Sequence, residues 1–413
     1  WHARNYITLL YNSMMFTPTK KILEKYAKVL VNFALNSGRG VKKKEVVFLQ
    51  VPEVAKPLLI MLRRAVLKAG GFPITEYLPD DYAREFFELA SDDQLKFFPS
   101  KLLKGKVDEA DQIVSIIADT DKYELKGVDP KKIMARGQAF KQYSDWRFDK
   151  ENGGKMTWTL GMYGTTAMAK DVGMTLKEYW AQIIKGCYLD APNPVKKWKE
   201  TFVKIETLRK KLNSMNILKL RLTAKDTDLT IGIDKNRNWL GGSGRNIPSY
   251  EIFISPDWRK TEGKISFSEP LYRYGNLVKN IKLEFKNGIV VKSSASIGEN
   301  ILKEMIKTKD ADKVGEFSLT DNRFSKITKF MGETLFDENT GGKYGNTHIA
   351  LGMAYKDSYS ADPSKVKKSA WEKMGFNDSS VHTDIVSTTN RTVTATLADG
   401  KEIVIYKNGR FTI

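Results

Sequence analysis

The chain has 413 residues and a formal net charge of +19, from 68 Lys and Arg against 49 Asp and Glu. That length suggests roughly two or three domains, and an apolar content of 41% with 11% aromatics excludes a wholly disordered chain. No stretch approaches the ~18 consecutive apolar residues of a membrane helix. The single Cys187 excludes an internal disulfide and a cysteine-based zinc site, and reads as a small buried apolar residue in a reducing compartment.

Residues 1–16 carry one cation, Arg4, and an apolar stretch broken by Asn5, Asn12 and Ser13. That is a poor signal peptide, so 1–16 is set apart as a leader of uncertain status and the expected location is cytoplasmic. Ile22, Tyr26, Val29, Leu30 and Phe33 then repeat at helical spacing, with Gly38 and Gly40 as a stop. Val46–Val51 reads as a buried strand. Leu58–Lys68 reads as a helix closed by Gly70-Gly71, followed by a strand at Ile74–Leu78. Another strand is expected at Ile113–Ala118, and a helix after Asp129-Pro130, where Pro suits the first helical position. Strands alternating with helices predict an α/β domain over 17–213 with a parallel sheet. No glycine-rich phosphate loop follows a strand, so nucleotide binding has no support.

A long helix at Pro194–Asn213 is expected to carry the chain into a different pattern. Leu218–Leu222, Asp228–Ile233, Glu251–Ser255, Lys264–Phe267, Ile281–Phe285 and Ile289–Lys292 are short and strand-like. Asn287-Gly288 is a hairpin signal, Asp399-Gly400 is a turn, and one helix is expected near Glu299–Thr308. The prediction for 214–413 is a β-rich (α+β) domain that holds the chemistry.

Only three histidines occur, His2, His348 and His382, and the last two fall close together. In Val381-His382-Thr383-Asp384-Ile385, strand geometry projects His382 and Asp384 to one face and packs their neighbours on the other. An imidazole and a carboxylate converging from one strand suit a metal, or equally a buried His–Asp hydrogen bond. His348 precedes Tyr355 by an odd number of residues, so a bend near Gly352 is needed for both to reach one site. Glu251 and Glu316 stand among apolar strand residues, where a carboxylate needs a partner and a metal is one.

Taken in order, these residues resemble a metalloaminopeptidase family, the leucyl aminopeptidase-like group that includes aminopeptidases T and S of thermophilic bacteria. The phrases that carry the resemblance are Asn246-Ile247-Pro248 leading to Glu251, Val314-Gly315-Glu316-Phe317, Phe336-Asp337-Glu338-Asn339, His348-Ile349-Ala350-Leu351-Gly352 and Ser380-Val381-His382-Thr383-Asp384. The resemblance implies an α/β N-terminal domain, a β-rich catalytic C-terminal domain, a homodimer and two divalent metal ions per chain. It places Glu251, Glu316, His348, His382 and Asp384 on metal-ligand positions and Tyr355 on the catalytic tyrosine. Glu316 or Glu338 is then the candidate general base, and Glu338 is a further candidate ligand. The chain departs from the family at Ser249-Tyr250, where a glycine usually precedes the glutamate, and in the glycine-rich stretch 340–345.

The expected activity is removal of N-terminal residues from peptides through a water bridging the metals. Oxygen and nitrogen donors accept Zn, Co, Mn or Mg without choosing among them. The rivals are a dinuclear hydrolase of another amide and a basic, non-enzymatic nucleic-acid-binding protein. The longest basic run is only Lys42–Lys44 and no nucleic-acid motif accompanies it, so the charge reads as a solvated surface with no specific nucleic-acid partner and no membrane.

Overall fold

The computed structural model describes residues 16–413. The leader expected at 1–16, apart from Phe16, and His2 therefore lie outside the described residues.

The first helix, α1 (Lys20–Val29), is capped by Thr19, whose hydroxyl accepts from the Ile22 amide at 3.4 Å. It buries Leu23, Tyr26, Ala27 and Val29, the face set by the helical repeat. Strands β1 (Val46–Pro52), β2 (Phe72–Leu78), β3 (Gln112–Ile117) and β4 (Thr157–Met162) form one parallel sheet in the order β2-β1-β3-β4. The helix α2 (Lys56–Ala69) crosses from β1 to β2 and ends on Gly70 at φ 83°, a left-handed cap that glycine adopts without strain. Cys187 is free and buried in the core that α1 shares with this sheet. The helix Pro194–Ser214 leads out of this region.

The remainder is mostly antiparallel. Strands β5 (Ile217–Ala224), β6 (Thr227–Gly232), β7 (Leu240–Gly241), β8 (Glu251–Ile254), β9 (Asp257–Ser266), β10 (Leu271–Arg273), β11 (Asn276–Val278), β12 (Lys282–Lys286), β13 (Ile289–Ser294), β14 (Val314–Thr320), β15 (Asn346–Gly352), β16 (His382–Ser387), β17 (Thr392–Leu397), β18 (Glu402–Lys407) and β19 (Arg410–Phe411) follow in sequence. Eight of them form a sheet ordered β13-β12-β9-β6-β5-β17-β18-β19, and five form a second, ordered β16-β15-β14-β8-β7. The β12–β13 hairpin turns on Asn287 and Gly288, both at positive φ as a tight hairpin turn requires.

The two antiparallel sheets close on one apolar core. Leu220, Leu222, Leu229 and Ile231 of the larger sheet meet Ile252, Phe317, Leu319, Ile349 and Ile385 of the smaller. The opposite face of the five-stranded sheet looks toward the parallel sheet. There Arg245–Ile247 runs beside β4: the Leu160 amide donates to the Arg245 carbonyl at 2.6 Å and the Ile247 amide to the Leu160 carbonyl at 2.9 Å. A cavity of about 190 Å³ lies between the two, walled by Ile117, Trp158 and Leu160 on one side and by Glu251, Glu316 and Asp384 on the other. No helix among the described residues is long and apolar enough to cross a membrane.

Candidate metal centre

Four adjacent strands supply the site. Glu251 opens β8, Glu316 lies on β14, His348 on β15, and His382 and Asp384 on β16. Register puts them on one face: Glu251 pairs with Thr320, Ser318 with His348, and both Glu316 and Asp384 with Ala350. Residues two apart on a strand share a face, so these side chains all lie on the cavity side of the sheet: Glu251, Glu316, His382 and Asp384 line the cavity, and His348 is buried among them.

The donors converge. His348 Nε2 lies 3.3 Å from Glu251 Oε2, 3.2 Å from Glu316 Oε1 and 3.9 Å from Asp384 Oδ1. His382 Nε2 lies 3.8 Å from Glu316 Oε2 and 3.4 Å from Asp384 Oδ1. Glu316 thus turns one carboxylate oxygen to each histidine. Glu338, which follows a short helix at Thr334–Asp337, joins from outside the sheet: Glu338, His348 and Asp384 offer ligand atoms within 4.8 Å of one another, as do Glu251, Glu316 and His348. The structure therefore gathers all six candidate ligands, and Tyr355 stands beside them with its ring 5.0 Å from that of His382. Gly352, at φ 105°, ends β15 and provides the bend that brings Tyr355 round; a Cβ there would sit 2.1 Å from the Val381 carbonyl oxygen.

The surrounding groups aim these donors. His348 Nδ1 faces Asn346 Oδ1 at 3.3 Å and His382 Nδ1 faces the Met353 carbonyl at 2.8 Å, which leaves each Nε2 for a ligand. Ser318 donates to Glu251 at 3.0 Å. Asn246 donates to Glu338 Oε1 at 2.7 Å and Asn339 to the same oxygen at 3.4 Å. Arg245, held between Glu151 at 2.8 Å and Asp357 at 2.5 Å, lies 5.6 Å from the Tyr355 ring. These residues were not singled out individually in the sequence. Asn246 and Asn339 belong to phrases that carry the family resemblance, and Asn346 stands two residues before His348 on the same strand face; those positions were the available signal.

Charge tests whether a metal fits. Glu251, Glu316, His348 and Glu338 are buried, and His382 and Asp384 are nearly so. Four carboxylates against two imidazoles leave an excess of negative charge even with both histidines protonated. Among the described residues no Lys or Arg ion-pairs with any of the four. Buried carboxylates without a cation are costly, and titration moves in response. Burial, with Glu251 adding to it, pushes Glu316 up to about 7. Burial and the charges of Glu251 and Asp384 push Glu338 well above the usual carboxylate range. Burial would lower His382, but neighbouring Asp384 outweighs it and carries the imidazole up to about 9. Likewise burial of His348 is outweighed by Glu251 and Glu316. Burial would raise Asp384, yet His382 holds it below the ordinary value. Apart from Asp384, these shifts all favour the protonated form, the direction set by crowded negative charge. Oxygen and imidazole donors at this density suit divalent ions.

Residues 19–411 match the family described as thermophilic metalloprotease (M29). The chain belongs to that family. It is 28% identical to aminopeptidase PepS of Streptococcus thermophilus, over 97% of this chain and 100% of that one. It is 26% identical to aminopeptidase T of Thermus thermophilus, over 95% and 99% of the two chains. The solved structure of wild-type AmpT from Thermus thermophilus has the same fold, with a TM-score of 0.81 at 24% identity, covering 95% of this chain and all of that one.

Proposed function

We propose that this member of the M29 family is an aminopeptidase that hydrolyses the first peptide bond of its substrates with two divalent metal ions. The observation that carries the reading is the uncompensated cluster on one sheet face, in which Glu316 presents an oxygen to each of two histidines. Glu251, Glu316 and His348 would hold one ion. His382 and Asp384 would hold the other, with Glu316 offering one oxygen toward each. Bound there, such ions supply Lewis-acid polarisation of a carbonyl and acidification of water. The donor set admits Zn, Co, Mn or Mg.

The remaining roles fall to the chain's own groups. Glu338 has Oε1 fixed by Asn246 and Asn339, while its other oxygen makes no hydrogen bond among the described residues. Both oxygens of Glu316 face histidines, so Glu338 is the freer general base: it accepts a proton from the attacking water and returns it to the leaving amine. Burial, reinforced by the charge of Glu316, pushes the Tyr355 phenol well above its ordinary pKa, so it stays protonated. It can donate a hydrogen bond to the oxyanion of the tetrahedral intermediate. Ile117, Leu160 and Leu335 give the cavity an apolar wall that excludes water and receives the first side chain. A division near residue 214 into an α/β and a catalytic unit, a cytoplasmic location and a homodimeric assembly carry over from the sequence as parts of this proposal.

A panel of amino-acid anilides, assayed before and after chelation and after each of the four metals is returned, tests the reading. Hydrolysis lost on chelation and restored by a divalent metal is expected. Hydrolysis that survives complete metal removal would exclude it.

A further inference from the structure

The site cavity has neighbours along one wall. It shares Trp158, Tyr355 and His382 with a second cavity of about 290 Å³, which lies against the helix Lys141–Asn152. The second shares Lys141, Asp145, Ser379 and Ser380 with a third of about 660 Å³. An aminopeptidase holds the first residue of its substrate at the reacting atoms, so the chain beyond the scissile bond needs a way out. The three cavities, adjoining through these shared walls, mark a course for it.

The walls change along the way. Phe148, Met156, Met353 and Val381 give the middle cavity apolar walls beside Arg147 and Glu151. The outer cavity carries five lysines, Lys141, Lys309, Lys313, Lys356 and Lys368. Its acids are Asp145, Asp310, Glu372 and Asp378, and three of these are already paired within the groove. Asp145 lies 2.8 Å from Lys141 and 3.0 Å from Lys368, Asp378 lies 3.0 Å from Lys141, and Asp310 lies 2.5 Å from Lys313. Among the described residues Lys309 and Lys356 have no ion-pair partner, and Glu372 is the one acid of the groove left likewise. Lys356 lies 5.8 Å from the Trp371 ring and Lys313 4.4 Å from that of Trp258, so the ammonium groups sit against aromatic walls.

We propose that this outer groove binds carboxylates on the downstream part of the peptide, through Lys309 and Lys356. The proposal rests on the aminopeptidase reading and deepens it: the favoured substrates are oligopeptides that place an acidic side chain or their own C-terminal carboxylate in the groove. The net charge of +19 adds a long-range attraction for anionic peptides that salt should weaken.

The test uses the full-length metal-loaded enzyme and five substrates. Leucine anilide ends before the groove and sets the reference rate for each protein. The others are Leu-Ala-Ala-Ala-Ala as the free acid, the same peptide amidated, and amidated Leu-Ala-Ala-Asp-Asp and Leu-Ala-Ala-Lys-Lys. Relative to the anilide, kcat/KM for the carboxylate-bearing peptides should exceed that of the neutral amide by roughly three- to tenfold, chiefly through KM, and the gain should shrink with salt. Gain in the Asp peptide alone assigns the groove to side chains, and gain in the free acid alone assigns it to the terminus. In a Lys309→Glu, Lys356→Glu double variant the preference should reverse toward the Lys peptide. Equal ratios for acidic, neutral and basic tails, or a preference the double variant leaves intact, would overturn the proposal. Failure to cleave any substrate, the anilide included, would overturn the aminopeptidase reading and the groove with it.

Discussion

The same strands β8, β14, β15 and β16 present one face to the apolar core and the other to the site cavity. On the core face Ile252, Ile254, Phe317, Leu319, Ile349, Leu351 and Ile385 are each at most 1% exposed and interlock with the larger sheet. On the cavity face Glu251, Glu316, His348, His382 and Asp384 crowd together, and among the described residues no Lys or Arg ion-pairs with them. The first face gains free energy from burial; the second costs it until cations arrive. Rigidity on one side is what allows like charges to be held close on the other, where a looser scaffold would let them part.

The contrast makes ordered predictions. Asp384→Ala should show the largest effect, because it removes a donor from the cavity face: metal content should fall below two ions per chain and turnover should disappear. Full stoichiometry with full activity would show that Asp384 is no ligand. Next, Glu338→Gln should keep the metals and lower kcat by about 10²–10⁴, the usual worth of a general acid–base group. Tyr355→Phe should also keep them and lose about 2.7–4 kcal/mol of transition-state stabilisation, mainly in kcat. Near-normal kcat in that variant would demote Tyr355 to packing.

On the core face the expected effect is of another kind. Ile349→Ala should cost about 2–5 kcal/mol of stability through the cavity it leaves, read as a lower denaturation midpoint, while metal stoichiometry stays the same. Different again is a pH effect on chelated protein. Glu316 and His382 both titrate above their ordinary values, Glu316 near 7 and His382 near 9. Each binds its proton more tightly when folded, so each contributes stability at low pH that is lost as pH rises through the folded value. The melting temperature of chelated protein should therefore fall between about pH 5 and pH 9, and metal should remove most of that slope; a rising melting temperature over that range would contradict the charge account.

Much of this was legible in the sequence. The alternation in His382-Thr383-Asp384-Ile385 assigned side chains to faces because a pleat has period two. Three of the four parallel strands were visible as apolar runs, but β4 was not. Its Gly161 weakens the strand pattern and is there for packing, since a Cβ would come within 2.9 Å of the Tyr26 hydroxyl and 3.2 Å of Leu30. Strand β9 was seen only at its end, Lys264 onward, because Trp258-Arg259-Lys260 is charged and half-exposed. The reach of Glu338 was unreadable for a different reason: it depends on Asn246, 92 residues away in the chain, and tertiary contacts of that kind leave no local pattern. The aim of Tyr355 likewise hung on Gly352.

The cavity face of the five-stranded sheet is proposed above as a two-metal centre. Its most direct test is elemental analysis of the intact protein, dialysed against each candidate metal, alongside chelated protein and the Asp384→Ala variant. Two ions per chain in the first, none in the second and fewer than two in the third is the expected result. Protein that hydrolyses anilides while holding no metal, or that keeps two ions after Asp384 is lost, would contradict it.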